Sequence, residues 1–268
     1  MALYHYSVRI CSRRNGRSAT GTCAYILGKK MWDFNTGKVY DYARRKDVAY
    51  REVMLPPEAP SAFWDVQALM DAADQAERRT DARLGRVFDI ALPRELDLGD
   101  WIKLVRNHVQ ANFTTNGHAL IAAIHTGEPK TVGNQDRVPE ASKERHNPHV
   151  HLLVLTRPLD ANGFQPTKSR DRWLDTALSL TSWRKNWADL LNRALEERGF
   201  RDRFVSHESL ARQGISREAS IHMGARAMAL RRKGIRTDRE KRSQEIRKRN
   251  EERLRQPLVR ERECTRSR

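Results

Sequence analysis

No stretch of the sequence approaches the ~18–20 consecutive apolar residues that a bilayer-spanning helix requires. With 38% hydrophobic residues and a mean hydropathy of −0.78, a multi-span membrane protein is excluded. Cysteine is scarce: Cys11, Cys23 and Cys264 are odd in number and lack close metal-type spacing. That excludes a disulfide framework or a thiolate zinc ribbon and leaves free thiols as the expectation. No internal repeat is present, so a solenoid or propeller is excluded too. Acids are the other shortage. Against 34 Asp and Glu stand 51 Lys and Arg, for a formal charge of +17 and a pI near 10.3. Such an excess favours a polyanionic partner, because Lys and Arg neutralise phosphates and release their counterions.

The positive charge sits at the two ends. Residues 1–50 carry ten Lys and Arg against three acids, and residues 231–268 carry sixteen against seven. The middle is near balance. The expectation is a folded body with a basic face and a basic tail. That tail mixes Arg, Lys and Glu without an aromatic residue and reads as an exposed helix laced with ion pairs or as a disordered segment.

Hydrophobic patterning gives the body both helices and strands. Ala2–Ile10 reads as a strand, followed by a basic turn at Cys11–Gly16. Ser18 to Lys29 reads as a short helix, capped by Ser18 and ended by Gly28. A proline-rich connector, with Pro56, Pro57 and Pro60, precedes a second helix over Ser61–Arg79. Arg86–Leu92 is a short β-branched strand closed by Pro93, and Leu98–Asn112 and Leu174–Arg198 have helical spacing. The most apolar segments, Ala119–His125 and Val150–Leu155, are short enough for buried strands. Thr126–Pro148 between them is long, polar and Gly/Pro-punctuated, which in a compact domain often marks a functional loop.

The sharpest local feature is His149-Val150-His151. On a strand, residues i and i+2 face the same side, so both imidazoles can converge on one ion. His125 ends the other apolar strand and reaches the same point if the two strands are antiparallel neighbours. Three neutral imidazoles suit Zn, Mn, Ni, Fe or Cu; histidines with satisfied hydrogen bonds would give the same letters. Asp89 lies between Phe88 and Ile90 in a predicted strand. It could orient a metal-bound histidine, accept a proton from a nucleophile, or simply face solvent. Tyr25 stands alone as a phenol on the small-residue helix. A phenol ionises near ~10 and needs a nearby base, cation or metal to act at neutral pH. A phenol, a histidine trio and a basic surface together are what phosphodiester transfer on DNA requires.

The ordered motifs carry a resemblance. Tyr4-His5-Tyr6-Ser7, Ser12-Arg13, Gly16-Arg17-Ser18-Ala19 and Ala24-Tyr25 are similar to the opening motif of the MobA/MobL relaxases, which nick plasmid DNA at an origin of transfer. Asp41-Tyr42-Ala43-Arg44-Arg45-Lys46, Asp89-Ile90-Ala91-Leu92-Pro93 and Asn147-Pro148-His149-Val150-His151 resemble its next three blocks. His207 to Ile215 resembles its closing pattern, which ends near His222-Met223-Gly224. At Asp89 the family more often carries Glu.

The resemblance implies an α/β fold with a central antiparallel sheet flanked by helices, as in HUH relaxases, and a basic C-terminal helical or disordered tail. It divides the chain into a relaxase domain over 1–224 and a basic extension over 225–268. It implies Tyr25 as nucleophile, Asp89 as the nearby acid, and His125, His149 and His151 as ligands of a divalent metal. Mg or Mn is the expected ion, with Zn, Ni or Co also compatible, and His146 is a competing ligand. Arg13, Arg14, Arg17, Lys29, Lys30, Arg44 and Arg45 are the expected DNA contacts. The partners implied are single-stranded DNA at an origin of transfer, accessory mobilisation proteins and a coupling protein. The opening Met1–Tyr6 lacks the charged-then-apolar order of a signal peptide, and the expected location is the bacterial cytoplasm. Two other classes share the charge pattern: a DNA-binding protein without catalysis, and a metal-dependent nuclease that uses water.

Overall fold

A computed structural model describes residues 4–16, 18–127, 147–168, 173–221 and 223–255. The chain divides into two compact units, residues 1–207 and 208–268. Among the described residues no helix is long and apolar enough to cross a membrane.

The first unit is built on an antiparallel sheet in the order β1 (Tyr6–Ser12), β5 (Arg83–Ala91), β7 (His149–Asp160), β6 (His118–His125), β4 (Val48–Met54). A two-residue strand, β8 (Gly163–Phe164), pairs with β7. β6 and β7 are central and covered on both faces, which is why their sequences read as continuous apolar runs rather than alternating ones. α3 (Leu98–Asn112) and α4 (Ala177–Glu197) supply one core, in which Trp183, Trp187, Phe88 and Phe113 interlock. The other core packs α1 (Ala19–Leu27) and α2 (Val66–Gln75) around Val87, Ile121, Ala123 and Leu153. The sheet is therefore flanked by helices, as the resemblance implied.

α1 is specified locally. The Ser18 hydroxyl accepts the Gly21 N–H at 2.7 Å, and Gly28 closes the helix in the left-handed region at φ 58°, where a Cβ is disfavoured. Residues 30–54, where the sequence pattern marks no element, fold as the hairpin β2 (Lys30–Asp33) and β3 (Lys38–Asp41) and as the edge strand β4. β2 and β3 have only four residues each, and β4 is an edge strand without a fully buried position, so none carries a strong hydrophobic period. The second expected helix is shorter than its pattern. A single 3-10 turn at Ser61–Trp64 precedes α2, which starts at the Asp65 cap.

In the second unit, the described residues of the basic tail contain α5 (Gly224–Arg232) and α6 (Asp238–Arg255). Arg249 donates both arms of its guanidinium to Glu218 at 2.8 Å each, and the Asn250 amide donates to the Glu218 carbonyl. The described part of the tail is thus helical and tied to the segment before it.

Candidate active site

Strand register brings the histidines together. β6 and β7 are antiparallel neighbours, and His125 lies directly opposite His149. His151 is two residues further along the same face of β7. The three ring centroids are 4.7–5.2 Å apart, and one nitrogen from each ring falls within 4.8 Å of the others. His125 and His151 are buried while His149 is half-exposed.

The hydrogen bonds to backbone carbonyls set the tautomers of two of the rings. His125 Nε2 donates to the Ile26 carbonyl at 2.8 Å, leaving Nδ1 with its lone pair. His149 Nδ1 donates to the Asn147 carbonyl at 2.7 Å, leaving Nε2. His151 Nδ1 is buried with no hydrogen-bond partner. Burial is the main cause that pushes His125 down to about 4 and His151 to about 3, so both rings are neutral at physiological pH. Neutral imidazoles with one nitrogen each within 4.8 Å of the others are a donor set for a divalent ion, and the residues present fit one.

Tyr25 stands against this cluster. It is 42% exposed, and its ring centroid is 6.5 Å from that of His125 and 6.3 Å from that of His151. α1 carries it there because Ile26 and Leu27 bury on the sheet and turn the adjacent residue outward. Asp89 is level with His151 across the β5–β7 ladder, and its charge favours the protonated form of that ring. Since His151 Nδ1 makes no hydrogen bond, the shorter aspartate acts on it through space.

Arg45 occupies a place its motif did not reveal. Its Cζ lies 4.3 Å from the Tyr25 ring centroid, and Nη1 donates to the Tyr25 carbonyl at 3.0 Å. Nη2 is 3.2 Å from His125 Nδ1, and the guanidinium forks onto Asp47, holding that carboxyl below the usual range. Expected as a DNA contact, it packs against Tyr25 and bonds the carbonyl of that residue. Only the spacing Arg45-Lys46-Asp47 hinted at this, and such a spacing is common.

The other basic residues divide. Arg14, Lys29, Lys30 and Arg44 are exposed. Arg13 turns inward instead: all four terminal N–H groups go to the Asp74 carboxylate and to the carbonyls of Asp74, Glu77 and Arg79. It closes the C-terminal end of α2, where carbonyls lack helical partners. Arg17 and His146 lie outside the described residues.

Comparison with known proteins locates these features in a family. The family model described as MobA/MobL family matches residues 17–233. A probable mobilization protein MobA of Bifidobacterium longum is 30% identical over 94% of this chain and 48% of its own length. A mobilization protein MobL of Acidithiobacillus ferridurans is 30% identical over 87% of this chain and 65% of its own. The chain therefore spans about half of the first relative and about two thirds of the second. Among solved structures, one described as the molecular basis of vancomycin resistance transfer in Staphylococcus aureus superposes with a TM-score of 0.65. It is 29% identical and covers 78% of this chain and 100% of that one.

Proposed function

Because this chain belongs to the MobA/MobL family, we propose that it nicks one DNA strand at a plasmid origin of transfer by tyrosine transesterification, in support of conjugative mobilisation. The observation that carries the proposal is an exposed phenol set against three convergent imidazoles.

In the proposed step the Tyr25 oxygen attacks the scissile phosphorus. An O–P bond to tyrosine forms while the P–O3′ bond breaks, leaving a 5′-phosphotyrosine and a strand ending in a 3′-hydroxyl once its oxygen has taken a proton. The phenolic proton passes to an acceptor, and Asp89 is the acid placed level with the cluster. His125, His149 and His151 would hold the divalent ion, whose charge, when bound, stabilises the negative charge growing on the phosphate oxygens. Arg45 holds the phenol ring in position from one side. The ester conserves the bond energy, so the released hydroxyl can reverse the step. Exposed Arg14, Lys29, Lys30 and Arg44 would contact the phosphates. Single-stranded origin DNA, accessory mobilisation proteins and a coupling protein are the proposed partners, and the bacterial cytoplasm is the proposed location.

Other tyrosines are poorer nucleophiles. Tyr6 is buried and its hydroxyl bonds His108, while the Tyr4 hydroxyl donates to the Arg184 carbonyl. Burial raises both phenols above their ordinary range. The test is a covalent protein–oligonucleotide adduct on a denaturing gel. Wild type should form it, and Tyr25→Phe should form none while binding DNA nearly as well. An adduct in the variant would move the chemistry to another tyrosine, with exposed-side Tyr42 first in line. Cut DNA without any adduct would mean that water is the nucleophile; binding without cutting would leave a DNA-binding protein.

A further inference from the structure

Beside Tyr25 lies a groove of about 300 Å³ that none of the three histidines lines, the small end of the ~300–1,000 Å³ range of ligand pockets. Ser18, Thr22 and Tyr25, spaced four and three apart on one face of α1, form one wall; Tyr40 and Tyr42 form the other. Arg9 of β1 also lines the groove. Tyr42 meets the Tyr25 ring edge-on, with centroids 5.4 Å apart, and Tyr25 both lines the groove and neighbours His125 and His151. Gly21 makes the close approach workable: a Cβ there would lie 2.9–3.0 Å from three atoms of the Tyr40 ring.

The lining has a consistent chemistry. Three aromatic rings offer stacking faces, and no lining residue is acidic. Arg9 adds positive charge that reaches as far as His151. The N-terminus of α1, with no acid in its first turn, adds the positive end of a helix dipole beside Ser18. A ligand that is flat, aromatic and anionic suits these walls, and a nucleotide is all three.

We propose that this groove binds one nucleotide of the single-stranded DNA, the one on the 3′ side of the nick, whose 5′-phosphate becomes bonded to Tyr25. The assignment rests on the nicking reading. In an in-line displacement the leaving oxygen departs opposite the phenol, whereas the retained nucleotide stays tethered to Tyr25 by one phosphate. The walls within reach of so short a tether are the helix of Tyr25 itself, Tyr40 of β3 and Tyr42 just beyond that strand. Stacking on Tyr40 and Tyr42 keeps the base, and with it the phosphotyrosine, in register for the reverse reaction.

Photocrosslinking tests the groove without needing catalysis. Full-length Tyr25→Phe protein is irradiated with a 12-nucleotide oligo(dT) in which thymidines are replaced by 5-iododeoxyuridine, and crosslinked peptides are mapped by mass spectrometry. Crosslinks on Tyr40 or Tyr42 are expected. Crosslinks confined to other aromatics, such as the exposed Trp32, Phe34 or Trp64, overturn the proposal, as does their complete absence. Tyr40→Phe should keep affinity for unmodified oligo(dT), and Tyr40→Ala should weaken it about tenfold, since stacking contributes ~1–3 kcal/mol per base; equal affinity in both overturns it too. The wild-type adduct assay separates the two readings. Crosslinks at Tyr40 or Tyr42 with no adduct sink nicking and leave the groove, while an adduct with no such crosslinks sinks the groove alone. On a strand whose nick has been mapped from the adduct, a single 5-iododeoxyuridine just 3′ of the nick should crosslink there. Crosslinking only from the 5′ side assigns the groove to the other nucleotide and overturns the proposal.

Discussion

His125 Nδ1 is claimed from two directions. It is the lone pair available to a metal ion, and it accepts from Arg45 Nη2 at 3.2 Å. The charge of Arg45 also disfavours added positive charge on the ring. Arg45→Met should therefore tighten divalent-ion binding while slowing nicking about tenfold or more, because the ring brace and the Tyr25 carbonyl bond disappear together. Opposite signs in calorimetry and in the adduct rate are the expected result; a weaker ion and a slower nick would make Arg45 a plain structural support. His149→Ala and His151→Ala remove donors instead. Each should weaken ion binding and cut nicking far more than it cuts DNA affinity, which is spread over many Lys and Arg residues. Unchanged ion affinity in both variants would dismantle the three-histidine site.

The elements that carry these residues are held by a few terminal contacts. α1 has nine residues, too short to persist on propensity alone, so its caps matter. Ser18→Ala deletes the bond to the Gly21 N–H and should cost about 1 kcal/mol. Gly28→Ala places a side chain at φ 58°, with its Cβ 3.1 Å from Val48 Cγ2, and should cost at least as much. Urea titrations at constant pH measure both. Stabilities equal to wild type would mean that packing of Ile26 and Leu27 alone holds the helix. A loss of nicking larger than the loss of folded protein would show that helix position, beyond helix formation, sets the rate.

For the molecule as a whole, buried histidines make stability depend on pH. Burial pushes His108 down to about 4. Nδ1 donates to Asn186 Oδ1 at 2.8 Å, and Nε2, 2.9 Å from the Tyr6 hydroxyl, accepts from it. The unfolded chain takes up this proton near pH 6.5 and the folded chain only near 4, so stability is lost as the pH falls through that window. By pH 5 the loss from His108 alone is about 2 kcal/mol. Comparing urea midpoints at pH 7.5 and pH 5 should show a drop in wild type that is smaller by about that amount in His108→Gln; an identical drop would mean that other groups carry it. The second unit contributes charge. Replacing Arg242, Arg247 and Lys248 of α6 with Glu should weaken binding to every DNA sequence alike. It should also flatten the plot of log K against log salt, by roughly 0.7 for each single-strand phosphate no longer neutralised. An unchanged slope would make α6 a bystander; a weakening confined to one origin would mean that it reads sequence.

Local physics wrote much of this molecule directly into its sequence. Ser18 and Gly28 bound α1, Leu98–Asn112 shows the helical period over its observed length, and the apolar runs ending in His125 and beginning at His149 are the central strands. The trio was legible because a strand places i and i+2 on one face, and the third histidine needed only one assumption about pairing. Tertiary structure decided the rest. Nothing local tells Arg13 from Arg14, yet the former closes α2 and the latter faces solvent, because only one of them reaches the carbonyls left at the end of that helix. Arg45 could not be separated from Arg44 in sequence for the same reason: its role depends on Tyr25, Asp47 and His125, and the last lies eighty residues away. The short strands of residues 30–54 form because partners exist for their hydrogen bonds, and the groove beside Tyr25 exists only where four separate segments meet.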